Sequence, residues 1–106
     1  MNEQIVITKG DSGIELNVYF INNKKQPVNI TGNTIEVTFV TPSKNKLYRQ
    51  AHITNASNGE CAIVLNNELT NESDLWSAYF VAMDSNSNIT AQDAIYYYVL
   101  EPNGGV

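Results

Sequence analysis

Alternation of apolar and polar residues is the clearest pattern in this chain. In two early segments, apolar residues recur at every second position: first Ile14, Leu16, Val18 and Phe20, then Ile35, Val37 and Phe39. Because side chains of a β-strand point alternately to opposite faces, each set lies on one face of a strand. Two strands that each have one face to bury predict packed sheets rather than helices.

The remaining strand patterns are short and are separated by turn residues. We predict strands at 5–8, 14–21, 34–41, 47–53, 61–65, 75–83 and 94–100, and a brief edge segment at 27–30. Seven or eight short strands at this spacing favour an all-β fold, an antiparallel β-sandwich. We expect one domain over residues 1–101, and residues 102–106, which include Gly104 and Gly105, to begin a linker.

Both faces of the last two predicted strands are largely apolar. A two-layer sandwich buries only one face of each sheet, so the other face needs a cover. If Phe80 and Tyr97 point inward, the outward set is Tyr79, Val81, Met83, Tyr96, Tyr98 and Leu100. Since aromatic residues and methionine are enriched where proteins bury surface against partners, we predict a protein interface at these six residues.

Three other interpretations of this outward set stay open. In the first, residues 1–8 or the loop 66–74 would cover the set within the chain. In the second, the pleat would be reversed, so that the set would belong to the core. The tyrosines of an exposed sheet that has no partner would give the same pattern.

Composition excludes several classes of partner. The 106 residues carry a net charge of −5, and the six Lys and Arg are spread along the chain, which argues against nucleic acid and anionic membranes. No apolar run approaches the length of a membrane span, and the N-terminus lacks the apolar region of a secretory signal. The single cysteine, Cys61, cannot form an internal disulfide and is expected to be buried as a small apolar residue.

Candidate catalytic and metal-binding motifs are incomplete. The G-D-S-G of residues 10–13 matches a serine-protease motif, but His52 is the one histidine and follows the serine, and a triad also needs an orienting carboxylate. The D-x-N-x-N of residues 84–88 lacks the glycine and glutamate of a calcium loop. The carboxylates of residues 60–74 are expected in solvated loops. We therefore predict no enzyme, no metal and no cofactor.

The order of turns and core positions resembles a known family. The residues that carry the resemblance are the segments 5–11, 26–32 and 35–39, Phe20, Pro42, the pair Asn58-Gly59, the segment 75–80, and Tyr98-Val99. Together they resemble the N-terminal domain of baseplate upper proteins from tailed phages of Gram-positive bacteria. The acidic, glycine-bearing turn usual in that family is replaced here by residues 22–26, Asn-Asn-Lys-Lys-Gln.

The resemblance implies a fold, a location and a role. It implies an immunoglobulin-like sandwich in the virion, made in the bacterial host, that docks on the tail baseplate and links it to the receptor-binding apparatus. The implied partners are other tail and baseplate proteins, with a homo-oligomer, a trimer, in the assembled full-length protein. It implies no catalytic residue. The alternative from the residues alone is a glycan- or protein-binding sandwich module of an adhesin or cell-surface protein.

Overall fold

Seven β-strands form the framework of the domain. The computed structural model describes residues 5–102. Its strands are β1 (Ile5–Thr8), β2 (Ile14–Tyr19), β3 (Thr34–Val40), β4 (Lys46–Asn55), β5 (Glu60–Leu65), β6 (Asp74–Met83) and β7 (Ile89–Leu100). Short 3-10 helices at Ala56–Asn58 and Asn67–Leu69 lie in two of the connections. The prediction of an all-β fold with seven or eight short strands is confirmed.

The strands are hydrogen-bonded in the order β1-β7-β6-β3-β4-β5-β2. Strand β4 belongs to two layers, because it pairs with β3 up to Ala51 and with β5 from His52 onward. The sheet therefore curls at β4 and divides into a first layer, β1-β7-β6-β3-β4, and a second layer, β4-β5-β2. This arrangement is compatible with the predicted immunoglobulin-like sandwich.

Several elements differ from the prediction in detail. Strand β1 runs parallel to β7, with Ile5 beside Tyr97, whereas the other strand pairs are antiparallel. The predicted edge segment at 27–30 is reduced to one bridge between Ile21 and Pro27, where proline has no N–H to extend a ladder. Strand β7 begins at Ile89 rather than at residue 94. Gly104 and Gly105 of the predicted linker lie outside the described residues.

The core lies between the two layers and closes around three aromatic rings. Trp76 and Tyr97 stack with their centroids 5.7 Å apart, and Phe39 meets Tyr97 edge-on at 6.5 Å. The Tyr97 hydroxyl donates to the Leu69 carbonyl at 2.7 Å, and Trp76 Nε1 donates to the Glu72 carbonyl at 2.9 Å. The loop between β5 and β6 therefore accepts hydrogen bonds from these two buried donors and closes this end of the domain. Cys61 is buried, as expected.

Candidate protein interface

Strand register decides which side chains of β6 and β7 face outward. The inward set of β6 is fully buried: Trp76, Ala78, Phe80 and Ala82. In β7, Tyr97 and Val99 are buried as well. The condition stated for the prediction, that Phe80 and Tyr97 point inward, is met, and the reversed pleat is excluded.

All six predicted interface residues lie on the outer face of the first layer, but their exposure differs. Tyr79 is 41% exposed and Tyr96 is 52% exposed. The others are half-buried: Val81, Met83, Tyr98 and Leu100. The neighbours of Tyr98 explain its partial burial, because it lies between Leu75 of β6 and Val6 of β1.

The six residues do not merge into one patch. Leu100 and Met83 lie at opposite ends of the strand pair, about 30 Å apart at the usual rise per residue of a strand. Val81 stands between Gln92 and Glu36, so its surroundings are polar. Apolar neighbours across strands are instead Val6, Tyr98 and Leu75, and the ring contact between Tyr79 and Tyr96 extends them along the sheet. We call these five residues the tyrosine face.

Two members of the tyrosine face were absent from the predicted set. Leu75 follows from the same alternation that places Tyr79 outward, and it is exposed in the structure. Val6 depends on the parallel pairing of β1 with β7, which brings it beside Tyr98. Sequence periodicity places the side chains of a strand on its two faces, but it does not reveal which strands become neighbours.

The two most exposed tyrosines of the face contact each other. Tyr79 and Tyr96 meet edge to face, with ring centroids 6.4 Å apart and planes at 85°. The neighbouring Tyr79 phenol raises the pKa of Tyr96, first through repulsion between the two phenolates. The hydroxyls lie at the ends of the two rings, so the face is apolar with polar tips.

A cleft adjoins one end of the tyrosine face. Its volume is about 350 Å³, and its lining is Ser73, Asp74, Tyr98, Val99, Leu100 and Glu101. Asp74 has a φ of 108°, and its carboxylate accepts the Leu75 N–H at 2.8 Å. Glu101 pairs with Lys9 at 3.5 Å on the rim. The cleft gives this end of the tyrosine face a concave feature bordered by charge.

Two of the carboxylates weighed for chemistry make local contacts instead. The Asp84 carboxylate accepts the backbone N–H groups of Asn86 and Asn88, each at 2.9 Å, and these bonds lower its pKa. The segment is therefore a self-satisfied turn. Glu68 pairs with Arg49 at 3.1 Å. Within residues 5–102, no three His, Cys, Asp or Glu side chains are grouped as a metal site would require.

Comparison with known proteins agrees with this architecture. The family model described as the BppU N-terminal domain, that of baseplate upper proteins, matches residues 1–99. The chain belongs to this family. Members are components of the virion tail, so the resemblance read from the sequence and the location it implied are confirmed.

A solved structure shares the fold of this member of the BppU N-terminal domain family. The N-terminal domain of phage TP901-1 ORF48 superposes with a TM-score of 0.71 and 15% sequence identity, over 92% of this chain and 84% of that one. No curated protein matches the sequence. Among the described residues, no helix is long and apolar enough to cross a membrane.

Proposed function

We propose that this domain is a non-enzymatic structural adaptor that docks on another protein of the tail baseplate through its tyrosine face. The observation that carries the proposal is the continuous apolar surface over β1, β6 and β7 in a domain of the baseplate upper protein family. The rest of the baseplate upper protein would then link this anchor to the receptor-binding apparatus.

The composition of the tyrosine face suits a protein partner. Tyrosine side chains supply large contact area with few rotatable bonds, and a few such anchors usually dominate the binding energy. The cleft beside Tyr98 offers a place for an anchoring side chain of the partner, because hot spots cluster where a side chain fills a pocket. The charged rim at Lys9 and Glu101 would fix its orientation.

The ring geometry favours a protein partner over a glycan. A sugar ring stacks on the flat face of an aromatic side chain, and a binding platform needs such faces side by side. Tyr79 and Tyr96 instead stand almost perpendicular to each other, at 85°. The alternative of a glycan-binding module thus finds no side-by-side platform in this tyrosine pair, and membership of a baseplate family gives it no support.

Charge substitution on the face tests the proposal. Tyr96→Asp and Tyr98→Asp should abolish incorporation of the baseplate upper protein into tails, as seen by co-purification with baseplate proteins and by electron microscopy. Tyr48→Asp is the matched control, because Tyr48 is 67% exposed but lies on β4, outside the tyrosine face. Normal tail assembly with folded Tyr96→Asp and Tyr98→Asp proteins would refute the docking face. Loss of assembly with Tyr48→Asp as well would show that the effect is not specific to the tyrosine face.

A further inference from the structure

Strand β2 has one edge without a partner among the described residues. It pairs with β5 along its whole length, from Ile14 opposite Leu65 to Tyr19 opposite Glu60, and it is the last strand in the sheet order. This edge belongs to the second layer, whereas the tyrosine face belongs to the first. The two features are therefore independent surfaces of the domain.

The hydrogen bonds around β2 fix which backbone groups face the open edge. The Phe20 N–H donates to the Gly59 carbonyl at 2.9 Å, so the groups of even-numbered residues in β2 point to β5. The N–H and C=O groups of Glu15, Asn17 and Tyr19 therefore point away from β5. The hairpin that follows does not cover them, because its bond from Val28 N to the Phe20 carbonyl lies on the β5 side.

The open edge also lacks the usual protection against pairing. Natural edge strands are blunted by proline, by lysine or by bulges. The sequence of β2, Ile-Glu-Leu-Asn-Val-Tyr, has neither proline nor lysine, and its register with β5 is uninterrupted. Glu15 is the one charge along it. An extended strand of another chain can pair with such an edge through backbone hydrogen bonds.

We propose that β2 pairs antiparallel with β2 of a second copy of this chain. A two-fold axis at Asn17 places each Asn17 opposite its equivalent and each Glu15 opposite Tyr19 of the other copy. In that register, every outward N–H and C=O group of Glu15, Asn17 and Tyr19 has a partner. Like charges do not meet, because Glu15 never faces its equivalent. The edge is thus complementary to itself, and the second layers of two domains join into one continuous sheet.

Proline at Asn17 tests the pairing with little effect on the domain itself. The Asn17 N–H makes no bond to β5, so Asn17→Pro removes an edge donor and places a ring in the path of the second strand. Asn17→Thr keeps the N–H and is the matched control. Sedimentation equilibrium from micromolar to millimolar concentration should show a dimer for the unmodified chain and for Asn17→Thr. We expect Asn17→Pro to raise the dimer Kd by about tenfold or more.

Amide hydrogen exchange gives a second measurement that needs no variant. The amides of Leu16 and Val18 should be protected at every concentration, whereas those of Glu15, Asn17 and Tyr19 should gain protection only as the dimer forms. A chain that stays monomeric at millimolar concentration, or a dimer that Asn17→Pro leaves intact, overturns the proposal. So does a dimer that Tyr96→Asp dissociates, because that result places the contact on the tyrosine face. A Tyr96→Asp chain that forms the dimer and still docks on the baseplate would refute the proposed function alone, whereas one that forms the dimer and fails to dock agrees with both proposals.

Discussion

Removing one buried oxygen should measure how much the closed end of the core stabilises the fold. The Tyr97 hydroxyl donates to the Leu69 carbonyl at 2.7 Å, and both residues are fully buried. Tyr97→Phe leaves that carbonyl without a partner while the ring keeps its stack on Trp76. An unsatisfied buried polar group costs about 1–3 kcal/mol. For a domain of this size, that lowers Tm by about 5–20 °C.

The neighbours of Tyr97 provide matched controls for this measurement. Tyr96→Phe and Tyr98→Phe remove the same atom from side chains on the outer face, so they should change the free energy of unfolding by less than about 0.5 kcal/mol. Urea unfolding of the three variants gives the comparison, with an unchanged m-value as the sign that the denatured state is unaltered. A Tyr97→Phe variant as stable as the two controls would refute the role assigned to the hydroxyl.

The pH dependence of stability follows from the same burial. Burial raises the pKa of Tyr97 above its ordinary value of 10.0. The unfolded chain therefore loses this proton at a lower pH than the folded chain does. The contribution of Tyr97 is fully present below pH 10 and is lost as the pH rises beyond it. Stability of the unmodified chain should fall more steeply above pH 10 than that of Tyr97→Phe, and equal slopes would contradict the argument.

Two further substitutions and one labelling reaction test other parts of the fold. An alanine Cβ at Gly59 would lie 2.6 Å from the Val28 carbonyl oxygen, so Gly59→Ala should cost at least about 2 kcal/mol of stability in urea unfolding. Gly32→Ala is the control, because Gly32 also has a positive φ, 77°, but has open space around it, so the cost there should be about 1 kcal/mol. Phe39→Ala should cost about 3–5 kcal/mol in the same assay, because that ring is fully buried, and a loss below 1 kcal/mol would contradict this. Burial raises the pKa of the Cys61 thiol to about 11, so a disulfide reagent at pH 8 should label it only at the rate of opening or unfolding.

Alternation predicted the strands whose two faces differ in polarity. It placed β2 and β3 correctly, because each buries one apolar face under the other layer and leaves polar residues in water. It missed the first part of β7, residues 89–93, where Ile-Thr-Ala-Gln-Asp holds only two apolar residues, too short an alternation to predict a strand. Pairing with β6 extends the strand through this part, and the backbone hydrogen bonds of such pairing leave no periodic signal in the sequence.

Long-range pairing is what the sequence could not supply. The division of β4 between two layers depends on which strands lie beside each half, and its residues read as one continuous strand. The same lack of information on strand pairing limited the prediction of the interface residues. The outward side of β6 and β7 followed from alternation, whereas the membership of Val6 required the parallel pairing of β1 with β7.

The core of the domain does not need the tyrosine face. Trp76, Phe80 and Tyr97 already close the core from the inner side of β6 and β7, so the outer tyrosines are not needed to bury it. Exposed apolar area of this kind adds nothing to the stability of the isolated domain through burial. It gains free energy only when another surface covers it, which is what the proposed docking on a baseplate protein would provide.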